Sequence, residues 1–267
     1  MQIKFTSLNS GSNGNCYYVG TEDEAVLIDA GISCRETEKR LRRLGLSIYK
    51  IKAIFVSHEH ADHIKGIPVL AKKYNLPVHI TPDTLRNARL RPENPLVHEL
   101  VSYETVEIGS LRITAFPKLH DARDPHSFIV ECQGITVGVF TDCGAVCDNL
   151  VKYFKQCHAA FLESNYDEEM LRYSRYPYHL KQRISGGRGH LSNREALNLF
   201  TAHKPNHMSH LLLAHLSKEN NCPQLAGDLF RRHAGTTEVV VASRYEESPV
   251  FTLPHLPKLK VEQLELF

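Results

Sequence analysis

Three observations on this 267-residue chain predict an α/β fold in a single domain. Short apolar runs alternate with helical patterns along its length. The chemically active residues fall at the carboxyl ends of those runs, where α/β folds place their sites. The string Leu27-Ile28-Asp29-Ala30-Gly31 is echoed by Phe140-Thr141-Asp142-Cys143-Gly144, one in each half. That echo fits an internal duplication with two sheets sandwiched between helices. A hydrophobic content of 42% is enough to bury a full core in a chain of this length, and no linker interrupts it.

In chain order, strands are expected near residues 3–7, 16–19 and 25–29. Ser33-Cys34-Arg35-Glu36 then carries a capping-box pattern that opens a basic helix to about Leu44. The β-branched and aromatic run 53–57 reads as a buried strand. After it, Ile64, Ile67, Leu70, Ala71 and Tyr74 recur at helical spacing and stop before Pro77. Strands follow through Val139, among them 111–116 and 135–141. Beyond them come helices near 146–157 and 194–203, a strand at 211–214, a helix near 223–232 and a strand at 238–242.

The run 53–57 leads directly into His58-Glu59-His60-Ala61-Asp62-His63, three imidazoles and two carboxylates within six residues. Side chains two apart on an extended turn point the same way, so His58 and His60 can share one cation. Asp62 and His63, at the start of the next helix, are displaced enough to hold a second. Imidazole nitrogen and carboxylate oxygen without thiolate suit Zn²⁺ or Mn²⁺. Three further candidates, His120, Asp142 and His215, each follow an apolar strand.

With those residues the chain resembles a metallo-β-lactamase-fold hydrolase, an αββα sandwich of two mixed sheets between helical layers, over essentially its whole length. The resemblance implies two divalent metal ions: His58, His60 and His120 on one, Asp62, His63 and His215 on the other, Asp142 bridging both. Gly189-His190-Leu191-Ser192, together with Leu213-Ala214-His215-Leu216-Ser217, resembles the tRNA 3′-processing endonucleases, where a similar histidine assists phosphodiester cleavage. Three longer strings, 7–15, Glu163-Ser164-Asn165-Tyr166-Asp167 and 215–221, resemble the bacterial YycJ/WalJ group, regarded as 5′-to-3′ DNA exonucleases. The implied chemistry is hydrolysis by a hydroxide formed from a metal-shared water. Asp62 orients the nucleophile, and His190 donates a proton or contacts phosphate. Ser10, Ser12 and Asn13, on a Gly-flanked loop, are candidates to hold a terminal phosphate. Asn165, Ser192 and Ser217 are further substrate-binding candidates from the matching strings.

Net charge is only +2, but its distribution is uneven. Residues 172–194 hold Arg172, Arg175, Lys181, Arg183, Arg188 and Arg194 with no acid, interleaved with Tyr173, Tyr176 and Tyr178. Guanidinium groups suit phosphates and tyrosine faces stack on unpaired bases, so this is the composition of a strand-binding surface. Arg183 and Arg188 are its candidate contacts to a nucleic acid, DNA before RNA. A second basic cluster, Lys39-Arg40-Arg42-Arg43, fits a solvated helix face equally well. Thioester, lactone or cyclic-phosphodiester hydrolysis on the same fold is the alternative activity, and RNA processing a second. A thioester or lactone hydrolase would not need the acid-free basic segment.

Seven scattered cysteines form no disulfide framework and fit buried thiols in a reducing cytoplasm. No apolar stretch reaches the ~18 residues of a membrane helix, and the first residues lack the layout of a secretory signal. The expected organisation is a catalytic domain over 1–254 and a tail over 255–267. The tail ends Gln263-Leu264-Glu265-Leu266-Phe267 and resembles the Gln-Leu-Ser/Asp-Leu-Phe motif by which bacterial replication proteins hold the sliding clamp. Leu264, Leu266 and Phe267 would enter apolar pockets while Gln263 bonds at the rim. Packing of the same side chains on the chain's own core is the alternative.

Overall fold

The computed structural model describes residues 2–88, 90 and 95–254. Gln263, Leu264, Leu266 and Phe267 lie outside the described residues.

The first half supplies β1 (Ile3–Asn9), β2 (Cys16–Gly20), β3 (Ala25–Ile28), β4 (Ile51–Phe55), β5 (Val78–Ile80) and β6 (Val97–Glu99). The second supplies β7 (Thr105–Ile108), β8 (Leu111–Pro117), β9 (His126–Cys132), β10 (Ile135–Phe140), β11 (Ala159–Glu163), β12 (His210–Ala214) and β13 (Glu238–Val241). A last strand, β14 (Phe251–Leu253), returns to the edge of the first sheet beside β1. Among the described residues these form two seven-stranded sheets, ordered β14-β1-β2-β3-β4-β5-β6 and β13-β12-β11-β10-β9-β8-β7.

Each half begins as an antiparallel meander and continues as parallel strands. The switch falls at β3–β4 in the first half and at β10–β11 in the second. Parallel strands need crossovers. They are supplied by α1 (Cys34–Arg43), α2 (Ala61–Ile64), α3 (Ile67–Tyr74) and α4 (Pro82–Asn87) in the first half. The second half supplies α5 (Asp148–Phe154), α6 (Glu168–Tyr173), α7 (Tyr178–Ser185), α8 (Asn193–His203) and α9 (Pro223–Arg231). The duplicated strings therefore end equivalent strands. Asp29 and Asp142 take the same left-handed backbone there, at φ 60° and 51°.

Three apolar layers follow from this order. Phe5, Tyr17, Phe55, Phe128, Phe161 and Leu212 fill the space between the sheets, with Tyr17 and Phe161 ring centroids 4.9 Å apart. Leu41, Ile67 and Leu70 cover the outer face of the first sheet, and Phe154, Phe200 and Phe230 that of the second. The predicted αββα sandwich is the observed fold. No helix among the described residues is long and apolar enough to cross a membrane.

Local differences from the sequence reading have physical causes. The helix expected from Ile64 is two helices broken at Gly66, whose N–H leaves the helix to donate to the Ala30 carbonyl at 2.8 Å and which lies against the Ile32 carbonyl with no room for a Cβ. The helix expected over 146–157 begins only at Asp148, since the preceding residues close the site loop after β10. Strand β11 and helices α6 and α7 are additional. At α1, Ser33 accepts from the Glu36 N–H as predicted, but the Glu36 side chain turns to Arg40 at 3.1 Å, so only half a capping box forms. The full box is at α8, between Ser192 and Glu195.

Candidate metal centre

All seven predicted ligands converge at the carboxyl ends of the strands. His58 and His60 lie on the extended turn after β4, and Asp62 and His63 in the single turn of α2. Gly31 makes that placement possible. A Cβ there would stand 1.6 Å from the Asp62 carbonyl oxygen, which accepts from the Asn15 N–H at 2.7 Å. His120 follows β8 by three residues, Asp142 follows β10, and His215 follows β12 with φ 56°. Asp29, Asp142 and His215 are thus three non-glycine residues in the left-handed region at one rim, a conformation that costs of order 1 kcal/mol or more each and clusters at functional sites.

Two donor groups share Asp142. The ring nitrogens of His58, His60 and His120 face one another: His58 Nε2 and His60 Nδ1 are 3.0 Å apart, His60 Nδ1 and His120 Nε2 3.4 Å. Asp62, His63 and His215 form the second group, with Asp62 Oδ2 3.6 Å from the Nε2 of both histidines. Asp142 lies between them, Oδ1 3.8 Å from His120 Nε2 and Oδ2 3.1 Å from His63 Nε2. That last approach lacks hydrogen-bond alignment. Asp142 Oδ2 and His215 Nε2 are both buried without a hydrogen-bond partner among the described residues. Such orphans are costly unless something absent from the polypeptide satisfies them. Nitrogen and oxygen donors 3–4 Å apart suit a cation with bonds of about 2 Å, so the residues fit a divalent metal centre.

The protein fixes the outer nitrogen of four of these five rings. His58 Nδ1 meets Ser57 Oγ at 2.9 Å, His63 Nδ1 meets Asp29 Oδ2 at 2.7 Å, His120 Nδ1 meets the Gly189 carbonyl at 2.8 Å, and His215 Nδ1 meets Glu163 Oε1 at 3.0 Å. With Nδ1 engaged, each Nε2 is left to the site, the arrangement expected behind metal-binding histidines. Burial pushes His120 down to about 4, and it also lowers His58, with the charges of His63 and Lys118 adding to it. At Asp142 burial raises the pKa, but the His215 and His63 imidazoles outweigh it and hold the carboxyl well below the usual range. His215 shows the converse: burial lowers it, yet Asp142, Asp62 and Glu163 together push it up to about 10. Without metal the site thus stores cationic imidazole beside carboxylate.

Glu163 is the principal residue the sequence reading missed as part of the site. Fully buried at the end of β11, it holds His190 Nδ1 at 2.8 Å through Oε1, while Oε2 accepts from the Cys143 and Leu191 N–H groups. Burial raises its pKa, but His190 and His215 bring it down to about 2. Its only signal was a carboxylate ending an apolar strand, the signal already read at Asp142. Asn15, within 3.2 Å of Asp62 and 3.0 Å of His63, carried no comparable one.

An open cavity of about 180 Å³ exposes the site, lined by Ser12, His60, Asp62, Arg183, His190 and His215 among others. Ser12 and Arg183 therefore reach the cleft, the latter paired with Asp121. Arg188 is exposed on the loop after α7. Other substrate candidates use their side chains within the protein. Ser10 Oγ meets Tyr17 Oη and accepts from the His215 N–H, both at 2.7 Å, and Asn13 donates to the Arg244 carbonyl at 2.8 Å. Asn165 donates to the His215 carbonyl, Ser192 caps α8, and Ser217 accepts from the Asn220 N–H. In the second basic cluster, Arg40 is buried and bonds Leu8 O, Asn9 Oδ1 and Tyr245 O, so it fastens loops and is not part of a solvated face.

Residues 24–215 match the family model of the beta-lactamase superfamily domain. The exodeoxyribonuclease YycJ of Bacillus anthracis is 36% identical over 85% of this chain and 87% of its own length. The exodeoxyribonuclease WalJ of Streptococcus pneumoniae is 32% identical over 84% and 85%. Among solved structures, the metallo-beta-lactamase fold protein YhfI from Bacillus subtilis superposes with a TM-score of 0.73 at 17% identity, covering 94% of this chain and all of that one. With its donor set, its fold and these relatives, the chain belongs to the metallo-β-lactamase superfamily of metal-dependent hydrolases, in the group of YycJ and WalJ.

Proposed function

We propose that the chain is a dinuclear exodeoxyribonuclease working 5′-to-3′, with His58, His60 and His120 on one ion, Asp62, His63 and His215 on the other, and Asp142 between them. The observation that carries the reading is the continuity of the donor set with the segment 172–194: Arg183, paired with Asp121, and His190 line the same cleft as His60, Asp62 and Asp142. The acid-free segment extends outward from that cleft through α7, whose residues are all at least partly exposed; Tyr173, with the Arg172 guanidinium 5.8 Å over its ring, and Tyr178 are 78% and 76% exposed. The names of YycJ and WalJ support DNA as the substrate.

Divalent cations, when bound, supply Lewis acidity that lowers the pKa of water and stabilises charge growing on phosphate oxygens. The chain's own residues do the rest. Asp62 orients the attacking water at the cleft. His190, its Nδ1 anchored on Glu163, passes a proton from Nε2 to the leaving oxygen. Arg183 and Ser12 hold phosphate, and Arg188 follows the strand outward. Residues 1–254 form the catalytic unit in this proposal, with 255–267 as a clamp-binding tail.

Purified protein loaded with Zn²⁺ or Mn²⁺ is expected to shorten 5′-phosphorylated DNA from its 5′ end, read with labels at either end. Preference for an RNA, a thioester or bis(p-nitrophenyl) phosphate would sink the reading. His190→Ala should lower turnover by roughly 10²- to 10⁴-fold, as for loss of a general acid, with metal content unchanged; loss of a metal equivalent would make His190 a ligand. Neutralising Arg183 and Arg188 together should weaken DNA binding and flatten its salt dependence by about 0.7–0.9 per lost phosphate contact. An unchanged salt slope would remove both from the strand path.

A further inference from the structure

A second cavity, of about 210 Å³, adjoins the metal centre and has no part in the chemistry above. Its floor is apolar, made by Leu216, Pro223, Val241 and Ala242, and its rim carries Lys218, Arg244 and the 70% exposed Tyr245. Arg244 is the informative residue. Its Nη1 is buried without a hydrogen-bond partner, and no ion pair reaches its guanidinium among the described residues. A cavity-lining guanidinium with no carboxylate paired to it is available to an anion entering the cavity.

The loop that carries Arg244 is held in place from several directions. The Ser10 N–H donates to the Ser243 carbonyl at 3.1 Å, Asn13 donates to the Arg244 carbonyl, and the Tyr245 N–H donates to Ser243 Oγ at 3.0 Å. From α1, Arg40 donates to the Tyr245 carbonyl at 2.9 Å and Arg43 reaches Glu247 at 2.6 Å. Gly11, at φ 145°, lets the 10–13 loop lie against the Arg244 side chain, whose Cβ would be 3.2 Å from a Cβ at position 11. A site built this firmly loses little order on binding.

The cavity is continuous in sequence with the centre. Leu216 and Ser217 directly follow His215, and Ser10, which lines this cavity, is two residues from Ser12, which lines the metal cleft. We infer that the cavity is a nucleotide subsite, in which Arg244 and Lys218 hold the phosphate of a strand residue neighbouring the cleaved one while its base lies on the apolar floor against Tyr245. A phosphate alone would leave that floor unused, and a base alone would leave the guanidinium unpaired; a nucleotide satisfies both. The inference rests on the exonuclease reading for the source of the nucleotide, not for the site itself.

The test is calorimetric titration of the metal-loaded protein with 2′-deoxyadenosine 5′-monophosphate and with deoxyadenosine. Arg244→Gln should weaken the monophosphate at least tenfold and leave deoxyadenosine nearly unchanged, and Tyr245→Ala should weaken both. Because phosphate can also meet the metals, the same titrations are run in the Asp142→Ala background, where the dependence on Arg244 should persist. On a 5′-phosphorylated strand, Arg244→Gln should raise KM more than it lowers kcat, with a loss at least tenfold greater than on bis(p-nitrophenyl) phosphate. Monophosphate affinity indifferent to Arg244→Gln in a variant of normal melting temperature, or lost only with Asp142, overturns the subsite. Arg244-dependent binding by a protein that cleaves no DNA supports the subsite and sinks the exonuclease reading instead.

Discussion

Asp142→Ala is expected to lower hydrolysis by on the order of a thousandfold, about 4 kcal/mol at roughly 1.4 kcal/mol per factor of ten. Its carboxylate reaches both donor groups: Oδ1 lies near His120 and His215, Oδ2 near His63. Removing it leaves each group without its shared anion, so metal content should fall together with rate. The fold should persist, because the carboxylate sits at the rim and the apolar layers do not depend on it. A variant that binds metal normally and keeps its turnover would refute the assignment.

Glu163→Ala should cost both stability and activity. Its Oε2 is the acceptor for two buried N–H groups, Cys143 and Leu191. Each left unsatisfied costs about 1–3 kcal/mol, which for a chain of this size lowers the melting temperature by roughly 2–4 °C per kcal/mol. Its Oε1 orients His190 and His215, and loss of such an outer partner commonly weakens activity about 10- to 100-fold. Glu163→Gln separates the two effects by preserving shape while removing charge. In the metal-free protein the sign of the pH dependence is also fixed. The Glu163 carboxyl falls from 4.5 to about 2 on folding, so its contribution is complete above 4.5 and is lost as pH falls toward 2. Melting of wild type and Glu163→Gln between those limits should converge as the pH drops; parallel curves would rule out the paired carboxylate.

Much of this was legible in the chain because the first four ligands form one local string, whose spacing alone carries the chemistry. His120, Asp142 and His215 were legible by a weaker rule, a polar residue after an apolar strand. The same rule applied to Glu163 would have found it, but the short strand that it ends, Ala159–Glu163, was not separated from its surroundings. The substrate serines could not be assigned, since a hydroxyl that caps a helix, as Ser192 does, and one that holds a phosphate are the same residue type beside similar turns. Arg40 shows the complementary failure. A basic run reads as a solvated face, and only the long-range approach of Leu8, Asn9 and Tyr245 turns one of its members inward. The helices α6 and α7 are short and almost free of buried side chains, so they leave little apolar periodicity to detect.

The duplicated architecture divides the ligand set between the halves: His58, His60, Asp62 and His63 come from the first, His120, Asp142 and His215 from the second. Under the proposed assignment, neither ion has its full ligand set before the two sheets have docked. The first sheet is itself completed from far along the chain, by the closing strand at Phe251–Leu253 against Ile3–Phe5. Contacts of that range form slowly. Binding of both ions under that assignment is therefore expected to act as a checkpoint on assembly, passed only by chains whose halves have met. During synthesis it would report completion of the molecule, and afterwards it would act as a latch that must open before the sheets can part.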